Sequence, residues 1–350
     1  MNQVKAKLVE RQPLLEITGL SVSFNKGADK VKAVDNVSLS VSAGETLGLV
    51  GESGCGKSTL ARSIIRLQSL DSGTITFQGQ PFHALQGAAL RKARRDMQMV
   101  FQDPYSSLNP RMKIADIVAD PLRNNSDMSP AATQERVLYL LDRVGLPMRA
   151  AAAYPHELSG GQRQRVGIAR ALALDPKFII CDEAISALDV SIQAQIINLL
   201  QDLQESMELT YLFIAHDIAV VRHICTRIAV MYLGQIVEIG TAEQICDAPQ
   251  HPYTKALLSA VPVPDPIRER KRYQTTQAIR GEISKVSHEG CKFASRCPVR
   301  DIAMQTRKID CSAVAPELIN LSSGHFGACH LLAGNAPSSN RPVNAAVKLL

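Results

Sequence analysis

The sequence of 350 residues lacks any long apolar run. No stretch approaches the roughly 18 consecutive apolar residues that a membrane-spanning helix requires. The segment Met1–Glu16 carries charged side chains and no apolar core, so a secretory signal peptide is not expected. These absences predict a chain that does not cross a bilayer and that stays in the cytoplasm.

Cysteine is scarce, and the charges are nearly balanced. Eight cysteines are too few for a disulfide-stabilised scaffold, which points to a reducing compartment. Lys and Arg number 39 against 33 Asp and Glu, and the resulting net charge of +6 does not by itself indicate a nucleic-acid-binding protein. The apolar fraction of 45% is enough to bury a large core, and the length favours about two domains.

Strand and helix patterns alternate along most of the chain. Residues 14–50 alternate apolar and polar positions, whereas Thr46–Val50 is a short, wholly apolar run typical of a buried parallel strand. A helix is predicted over Lys57–Leu67, and mainly helical structure over 112–175. Strands that alternate with helices predict an α/β fold with a mainly parallel sheet. The predicted units are a first domain at 14–262 with a helical subdomain at about 103–170, a cysteine-bearing domain at 263–332 and a flexible tail at 333–350.

A glycine-rich loop follows the apolar run Thr46–Val50. Its sequence, GESGCGKST, matches the pattern of a phosphate-binding loop between a buried strand and a helix. The glycines allow successive N–H groups to point at phosphate oxygens, and the helix that follows presents its positive N-terminal end to the same anion. Lys57 is placed to reach the β- and γ-phosphates, and the Ser58 hydroxyl to bind Mg²⁺. The nucleotide-binding residues predicted here are Gly51, Glu52, Ser53, Gly54, Cys55, Gly56, Lys57, Ser58 and Thr59.

Two further segments narrow the function. The apolar strand FIICDE ends in Asp182, which suits a Mg²⁺ ligand, and Glu183, which suits a base for an attacking water. LSGGQRQR places Ser159 before a glycine pair, which predicts a second helix N-terminus able to bind an anion. One chain does not need two such sites for one γ-phosphate. We therefore expect the second site to close on a nucleotide held by another subunit.

With these motifs in this order, the sequence resembles the ATP-binding subunits of ABC transporters over about residues 14–260. The resemblance implies a P-loop NTPase fold with antiparallel β and helical subdomains, followed here by a small cysteine-bearing C-terminal extension. It assigns Phe24 to adenine stacking, Gln102 to Mg²⁺ and the attacking water, and His216 to the γ-phosphate. The signature corresponds to Ser159, Gly160, Gly161 and Gln162, and the D-loop to Ser186, Ala187, Leu188 and Asp189.

One position departs from the family pattern. The residue after the catalytic glutamate is usually proline in this family, and here it is Ala184. Alanine restores a backbone N–H and releases the constraint on φ. We expect the turn to survive and hydrolysis by this subunit to be altered.

Not every ABC ATPase is a transporter, and the alternative is a role in DNA repair or translation. Repair proteins insert a long coiled coil before the signature and translation factors carry two cassettes, whereas this chain has one cassette with short spacing. The segments VFQDPYSSLNPRMKI and HPYTKALLSAVP resemble the oligopeptide/dipeptide (nickel/opine) importers. That resemblance implies a second, homologous ATPase in a heterodimer, two separate permeases, a solute-binding protein and no nucleic acid. It implies a peripheral position on the cytoplasmic face of the bacterial inner membrane.

Half of the cysteines fall near the C-terminus, at Cys291, Cys297, Cys311 and Cys329. Four thiolates are the ligand set of a [4Fe–4S] cluster, and the family resemblance favours such a cluster. The spacing between the second and third cysteines is longer than is usual in the family. Zinc also accepts four thiolates, although the paired spacing typical of zinc sites is missing. Reduced, partly buried thiols are the third interpretation, and the sequence leaves all three open.

Overall fold

The computed structural model describes residues 13–26, 29–260 and 289–332. The strands are β1 (Pro13–Lys26), β2 (Asp29–Ser42), β3 (Thr46–Val50), β4 (Ser72–Phe77), β5 (Met97–Val100), β6 (Phe178–Asp182), β7 (Thr210–Ala215), β8 (Arg227–Tyr232), β9 (Gln235–Thr241), β10 (Ile319–Ser322) and β11 (His325–Gly327). The helices are α1 (Lys57–Ile64), α2 (Gly87–Ala93), α3 (Pro104–Ser107), α4 (Ile114–Asn125), α5 (Pro130–Arg143), α6 (Gly160–Leu172), α7 (Val190–Met207), α8 (Ile218–Ile224), α9 (Ala242–Asp247), α10 (Pro252–Ser259) and α11 (Arg300–Arg307). No helix among these residues is long and apolar enough to cross a membrane.

The larger sheet has the order β10-β11-β9-β8-β3-β7-β6-β5. Its five strands from β8 to β5 are parallel, and β9 and β11 are added antiparallel at one side. All residues of β3, β6 and β7 are buried, as their continuous apolar sequences require when helices cover both faces of a sheet. The predicted α/β fold with a mainly parallel sheet is confirmed.

The smaller sheet is antiparallel, with the order β2-β1-β4. Alternate side chains of β1, such as Leu15 and Ile17, are buried, which matches the alternating pattern of its sequence. Helix α1 contacts strands of both sheets and buries Leu60 and Ile64 in the core that they share. This helix follows the glycine-rich loop, so packing of the two sheets against it fixes where the loop lies.

Helix α1 ends three residues before the predicted limit of Leu67. The reason is Arg66, whose φ of 58° takes the backbone out of the helical region. Its guanidinium donates to the carbonyl oxygens of Phe82 and Leu85, and these contacts hold the turn. The sequence alone gives no sign of this stop, because arginine is a favourable helix residue.

Helices α4, α5 and α6 pack together beside the sheet and lie within the region predicted to be helical. Ser129 caps α5 through its side chain, with Pro130 at the first helical position. Buried residues from the three helices, Val118, Leu140 and Val166 among them, share one core cluster with the sheet. The helices of this subdomain are therefore held to the sheet by apolar contacts.

The described part of the C-terminal extension, residues 289–332, is joined to the larger sheet through β11, which pairs with β9. Behind this junction, the buried carboxylate of Glu238 lies 2.8 Å from Nε2 of His325 and accepts the backbone N–H groups of Gln250 and His251. Burial acts to raise the pKa of Glu238, but these hydrogen bonds outweigh it and leave the pKa lowered. The predicted domain boundary near 262 and the tail at 333–350 lie outside the described residues.

Replacing Glu238 tests this junction. The folded-state pKa of Glu238 is below its ordinary value of 4.5, so its charge stabilises the fold above that pH and ceases to do so as the pH falls below it. We expect Glu238→Gln to lower the free energy of unfolding by about 1–3 kcal/mol at neutral pH. Urea unfolding across the acidic range measures the difference, which should shrink as the parent carboxylate becomes protonated. A difference that is independent of pH would contradict a role for the charge.

Candidate functional site

The predicted site residues follow four neighbouring parallel strands. The loop Gly51–Thr59, called here the phosphate loop, comes after β3, and His216 comes directly after β7. Asp182 and Glu183 stand at the end of β6, and Gln102 lies just beyond β5. Since β3, β7, β6 and β5 are adjacent and parallel, their carboxyl ends lie at one edge of the sheet. The topology therefore brings together segments that are far apart in the sequence.

The phosphate loop is shaped by close backbone contacts. Gly56 has a φ of 109°, and a Cβ there would lie 2.1 Å from the carbonyl oxygen of Ala33. A Cβ on Gly51 would lie 2.2 Å from the carbonyl oxygen of Met231. The ammonium group of Lys57 is buried and donates to the carbonyl oxygens of Gly51 and Glu52, at 2.8 and 3.0 Å. The loop therefore wraps around a fixed positive charge, as binding of a phosphate chain requires.

Oxygen ligands for a divalent cation lie beside this loop. The Ser58 hydroxyl donates to Oδ1 of Asp182 at 2.9 Å, and Asp182 is almost completely buried. Burial raises the pKa of Asp182, with the hydrogen bond from Ser58 opposing the shift. A hydroxyl and a carboxylate in contact are the hard oxygen ligands that Mg²⁺ prefers, so the predicted pair fits this ion. The third predicted ligand, Gln102, is placed differently.

Gln102 contacts the predicted base. Its Nε2 donates to Oε2 of Glu183 at 2.7 Å, and Oε1 of Glu183 lies 3.9 Å from Nζ of Lys57. Glu183 has a φ of 48°, a conformation rare for a residue other than glycine, and its N–H donates to the carbonyl oxygen of Ile214. Strain of this kind persists where the surrounding contacts enforce it. The carboxylate of Glu183 therefore lies between Gln102 and Lys57, beside the phosphate loop.

Two further residues predicted to contact the nucleotide are exposed. His216 is exposed where β7 ends, adjacent to the strand that carries Glu183. Phe24, predicted to stack on adenine, is 41% exposed on β1. Exposed side chains are accessible to a ligand, although a contact between either residue and a nucleotide stays a prediction.

The signature residues Ser159–Gln162 form the beginning of α6. The Ser159 hydroxyl accepts the N–H of Gln162, and the Gln162 side chain accepts the N–H of Ser159, which completes a capping box. A Cβ on Gly161 would lie 2.6 Å from Cγ2 of Ile192 in α7. Within the described residues, no hydrogen bond or ion pair joins this segment to the phosphate loop. The second predicted anion site therefore stands apart from the first.

The D-loop connects Glu183 to α7. Ser186 donates its N–H and its hydroxyl to the carbonyl oxygen of Glu183, at 3.1 and 3.0 Å. Asp189 caps α7 by accepting the N–H of Ile192, and Leu188 lies against Gly160 of the signature. The D-loop therefore touches both the predicted base and the signature segment of its own chain. Ala187 is exposed between these contacts.

Two residues that support the phosphate loop were not found from the sequence. The Tyr253 hydroxyl accepts the backbone N–H of Glu52 at 2.9 Å. The guanidinium of Arg296 makes two hydrogen bonds to the Glu52 carboxylate, at 2.8 and 3.1 Å. They lie 201 and 244 residues from Glu52 along the chain, so no local pattern indicates either contact.

The four C-terminal cysteines come together around one cavity. Cys291, Cys297, Cys311 and Cys329 all line a space of about 20 Å³, and their thiols are free. Burial raises the pKa of each, to about 12 for Cys291 and about 11 for Cys297, and so favours the neutral thiol. A cavity of that size has room for about one water molecule. Among the described residues, no group of three or more His, Cys, Asp or Glu side chains is placed to hold a metal ion.

Comparison with solved structures places this geometry in a known fold. The dimeric ATP-binding cassette MJ0796 in a post-hydrolysis state, bound to ADP and Pi, matches 65% of this chain and 98% of its own, with a TM-score of 0.60 and 32% identity. CbiO1 of Clostridium perfringens, part of the ABC transporter complex cbiONQ, matches 68% of this chain and 92% of its own, with a TM-score of 0.61 and 27% identity.

Comparison of sequences gives the family. Residues 34–186 match the family described as ABC transporter, and residues 237–303 match the oligopeptide/dipeptide transporter C-terminal region. The putative oligopeptide transport ATP-binding protein YkfD of Bacillus subtilis is 48% identical over 92% of this chain and 97% of its own. The oligopeptide transport ATP-binding protein OppF of Salmonella typhimurium is 50% identical over 85% of this chain and 92% of its own. The chain is therefore an ABC-transporter ATPase and belongs to the family of oligopeptide/dipeptide transport ATP-binding proteins.

Proposed function

We propose that this ATPase powers the import of dipeptides or oligopeptides through separate permease subunits. The observation that carries the proposal is the combination of a complete cassette with the oligopeptide/dipeptide-type C-terminal region in one chain. Relatives that match nearly their whole length are named as peptide transport or import proteins. A role in DNA repair or translation finds no support in these comparisons.

The contacts at the sheet edge support a proposed role for each residue. The phosphate loop and Lys57 bind the phosphate chain of ATP, and Ser58 with Asp182 would hold Mg²⁺, which would neutralise charge on the phosphates. Glu183 takes a proton from a water molecule while the oxygen of that water attacks the γ-phosphorus. The bond between the γ-phosphorus and the β–γ bridging oxygen then breaks, which releases ADP. Gln102, hydrogen-bonded to Glu183, orients this carboxylate, and His216 binds the γ-phosphate.

The separation of the signature from the phosphate loop supports a composite site. In this proposal, Ser159–Gln162 bind the γ-phosphate of ATP held by a second, homologous ATPase, because helix α6 presents its positive N-terminus there. The solved cassette MJ0796 is a dimer, which fits such an arrangement. Closure is then a population shift toward the dimer, driven by contacts that only the closed pair makes. We infer a heterodimer in which each subunit completes the other's site.

A groove beside Gln102 is the proposed contact with a permease. It has a volume of about 670 Å³ and lies between the sheet and the helical subdomain, lined by Leu67, Phe101, Pro121 and Arg170 among others. Leu67 is 55% exposed, so the groove presents apolar surface for a partner to bury. Because Gln102 also lines this groove, a partner seated there is in reach of the residue that contacts Glu183.

The partners define the proposed location. A chain of this family works under two permeases that a solute-binding protein supplies, on the cytoplasmic face of the bacterial inner membrane. Nucleic acid has no part in this assembly. The proposed division is a cassette at 14–262, an extension at 263–332 and a tail at 333–350, with the signature subdomain at about 103–170.

The [4Fe–4S] cluster also stays a proposal. The convergence of four cysteines on one cavity supports it, whereas the cavity size and the raised thiol pKa values describe the reduced, metal-free arrangement. A cluster would require the four side chains to move apart and ionise. Iron and acid-labile sulfide analysis of anaerobically purified protein is the test. About four irons per chain, lost in Cys297→Ser, would support the cluster. A colourless protein without iron would refute it.

Glu183→Gln tests the assigned base. The variant keeps its hydrogen-bonding capacity near Gln102 but is unable to accept a proton, so we expect hydrolysis to fall by about 10²–10⁴-fold with ATP binding retained. ATP should then hold the pair of ATPases closed. Phosphate release and size-exclusion chromatography with ATP measure the two effects in the assembled complex. Glu205→Gln is the control, because it makes the same change of carboxylate to carboxamide at an exposed position on α7. Turnover at the parent rate would exclude Glu183 as the base.

Leu67→Glu tests the permease contact. A carboxylate in the groove has to be desolvated when a partner covers it, so we expect less permease to copurify and transport to fall. ATP binding by the separate subunit should persist, because Leu67 lies outside the phosphate loop. Met148→Glu is the matched control, since Met148 is 65% exposed and does not line the groove. Equal recovery of permease with both variants would show that the partner docks elsewhere.

A further inference from the structure

Within residues 289–332, Arg296 of the C-terminal extension contacts the phosphate loop. Arg296 lies in the loop between Cys291 and Cys297, and its guanidinium binds both carboxylate oxygens of Glu52 in the phosphate loop. The same Nη1 atom donates to the Tyr232 hydroxyl at 3.2 Å. The side chain of Arg296 is only 11% exposed and that of Glu52 only 28%, so water screens the pair less than a surface ion pair.

An aromatic platform holds this ion pair in place. Tyr232, Tyr253 and Phe293 pack edge-on or tilted against one another, with ring centroids 4.6 to 5.5 Å apart. Tyr253 accepts the N–H of Glu52, and Phe293 belongs to the same loop as Arg296. The hydrogen bonds that Arg296 donates to Glu52 and Tyr232, those to Glu52 having the larger effect, raise the pKa of Arg296, so the guanidinium stays charged. The cassette therefore contacts the backbone of Glu52 through Tyr253, and the extension contacts its side chain through Arg296.

The position of Glu52 gives the ion pair a consequence for ATP. Glu52 carries a negative charge in the loop that has to receive a polyanion, and its carbonyl oxygen accepts a hydrogen bond from Lys57. Without a counterion, this carboxylate would repel the phosphates across a short distance. The two hydrogen bonds from Arg296 neutralise the charge of the Glu52 carboxylate. They also fix the orientation of the Glu52 side chain. Lysine makes only a point contact with a carboxylate and does not reproduce that arrangement.

We propose that Arg296 is a positioning residue for nucleotide binding: it neutralises and orients Glu52, so that the affinity of the phosphate loop for nucleotide depends on the docked C-terminal extension. The inference goes beyond the proposed transport function and does not depend on which solute is carried. It also differs from simple attachment, in which Arg296 would only fasten the extension to the cassette and leave the loop unaffected.

The test is the dissociation constant for MgADP, measured by calorimetry on the full chain. Arg296→Met removes the charge and keeps the length of the side chain, and we expect the constant to rise about tenfold. Arg300→Met is the matched control, because Arg300 belongs to the same extension but pairs with Asp310 there. The constant for the control should stay at the parent value. Arg296→Lys should lie between the parent and Arg296→Met.

A double variant separates charge compensation from attachment. Glu52→Gln removes the uncompensated carboxylate, so Arg296→Met/Glu52→Gln should bind MgADP more tightly than Arg296→Met alone. If the double variant binds as weakly as Arg296→Met, charge compensation is wrong. If Arg296→Met lowers only the melting temperature and binds MgADP like the control, attachment alone is its role and the proposal is overturned. Should Arg296→Met fail to fold, an unchanged affinity in Arg296→Lys would likewise overturn it.

Discussion

The buried ammonium group of Lys57 is the contact on which the rest of the site depends. By donating to the carbonyl oxygens of Gly51 and Glu52, it closes the phosphate loop around a positive charge using the chain's own atoms. The two glycines with no room for a Cβ, Gly51 and Gly56, make that closure possible. The ordering of the loop therefore belongs to the folding of the chain, and nucleotide meets a surface that is already shaped.

The sheet topology separates the phosphate loop from the signature segment. The parallel strands β3, β7, β6 and β5 bring the phosphate loop and the predicted hydrolytic residues to one edge, whereas the signature forms the start of α6 in the helical subdomain. The D-loop is the short connection between them, since Ser186 bonds to Glu183 while Leu188 lies against Gly160. Only a few residues therefore separate the start of α6 from the Glu183 carboxylate.

Much of this arrangement was predictable, because it depends on local patterns. The wholly apolar strands, the glycine-rich loop and the polar residues at strand ends are each encoded within about ten residues. The parallel order of strands in an α/β fold then brings these segments to one edge of the sheet. The Arg296–Glu52 pair was not predictable, since nothing near either residue marks the other. The pairing of β11 with β9 escaped prediction for the same reason, as three residues carry too little pattern to indicate a strand. The sequence leaves open whether the four C-terminal cysteines meet, because their convergence and the size of the space between them depend on packing that spacing alone does not reveal.

The addition of β11 to β9 also changes what the larger sheet presents to its surroundings. An exposed strand edge offers unpaired N–H and C=O groups to any other extended chain and invites aggregation. In the described part of the chain, the outermost strands are β10 and β5, each only four residues long, and β9, with seven, lies inside. With the extension in place, both edge strands of the larger sheet are therefore short. A copy of the chain without its C-terminal region would expose the longer edge of β9 to pairing with other extended chains.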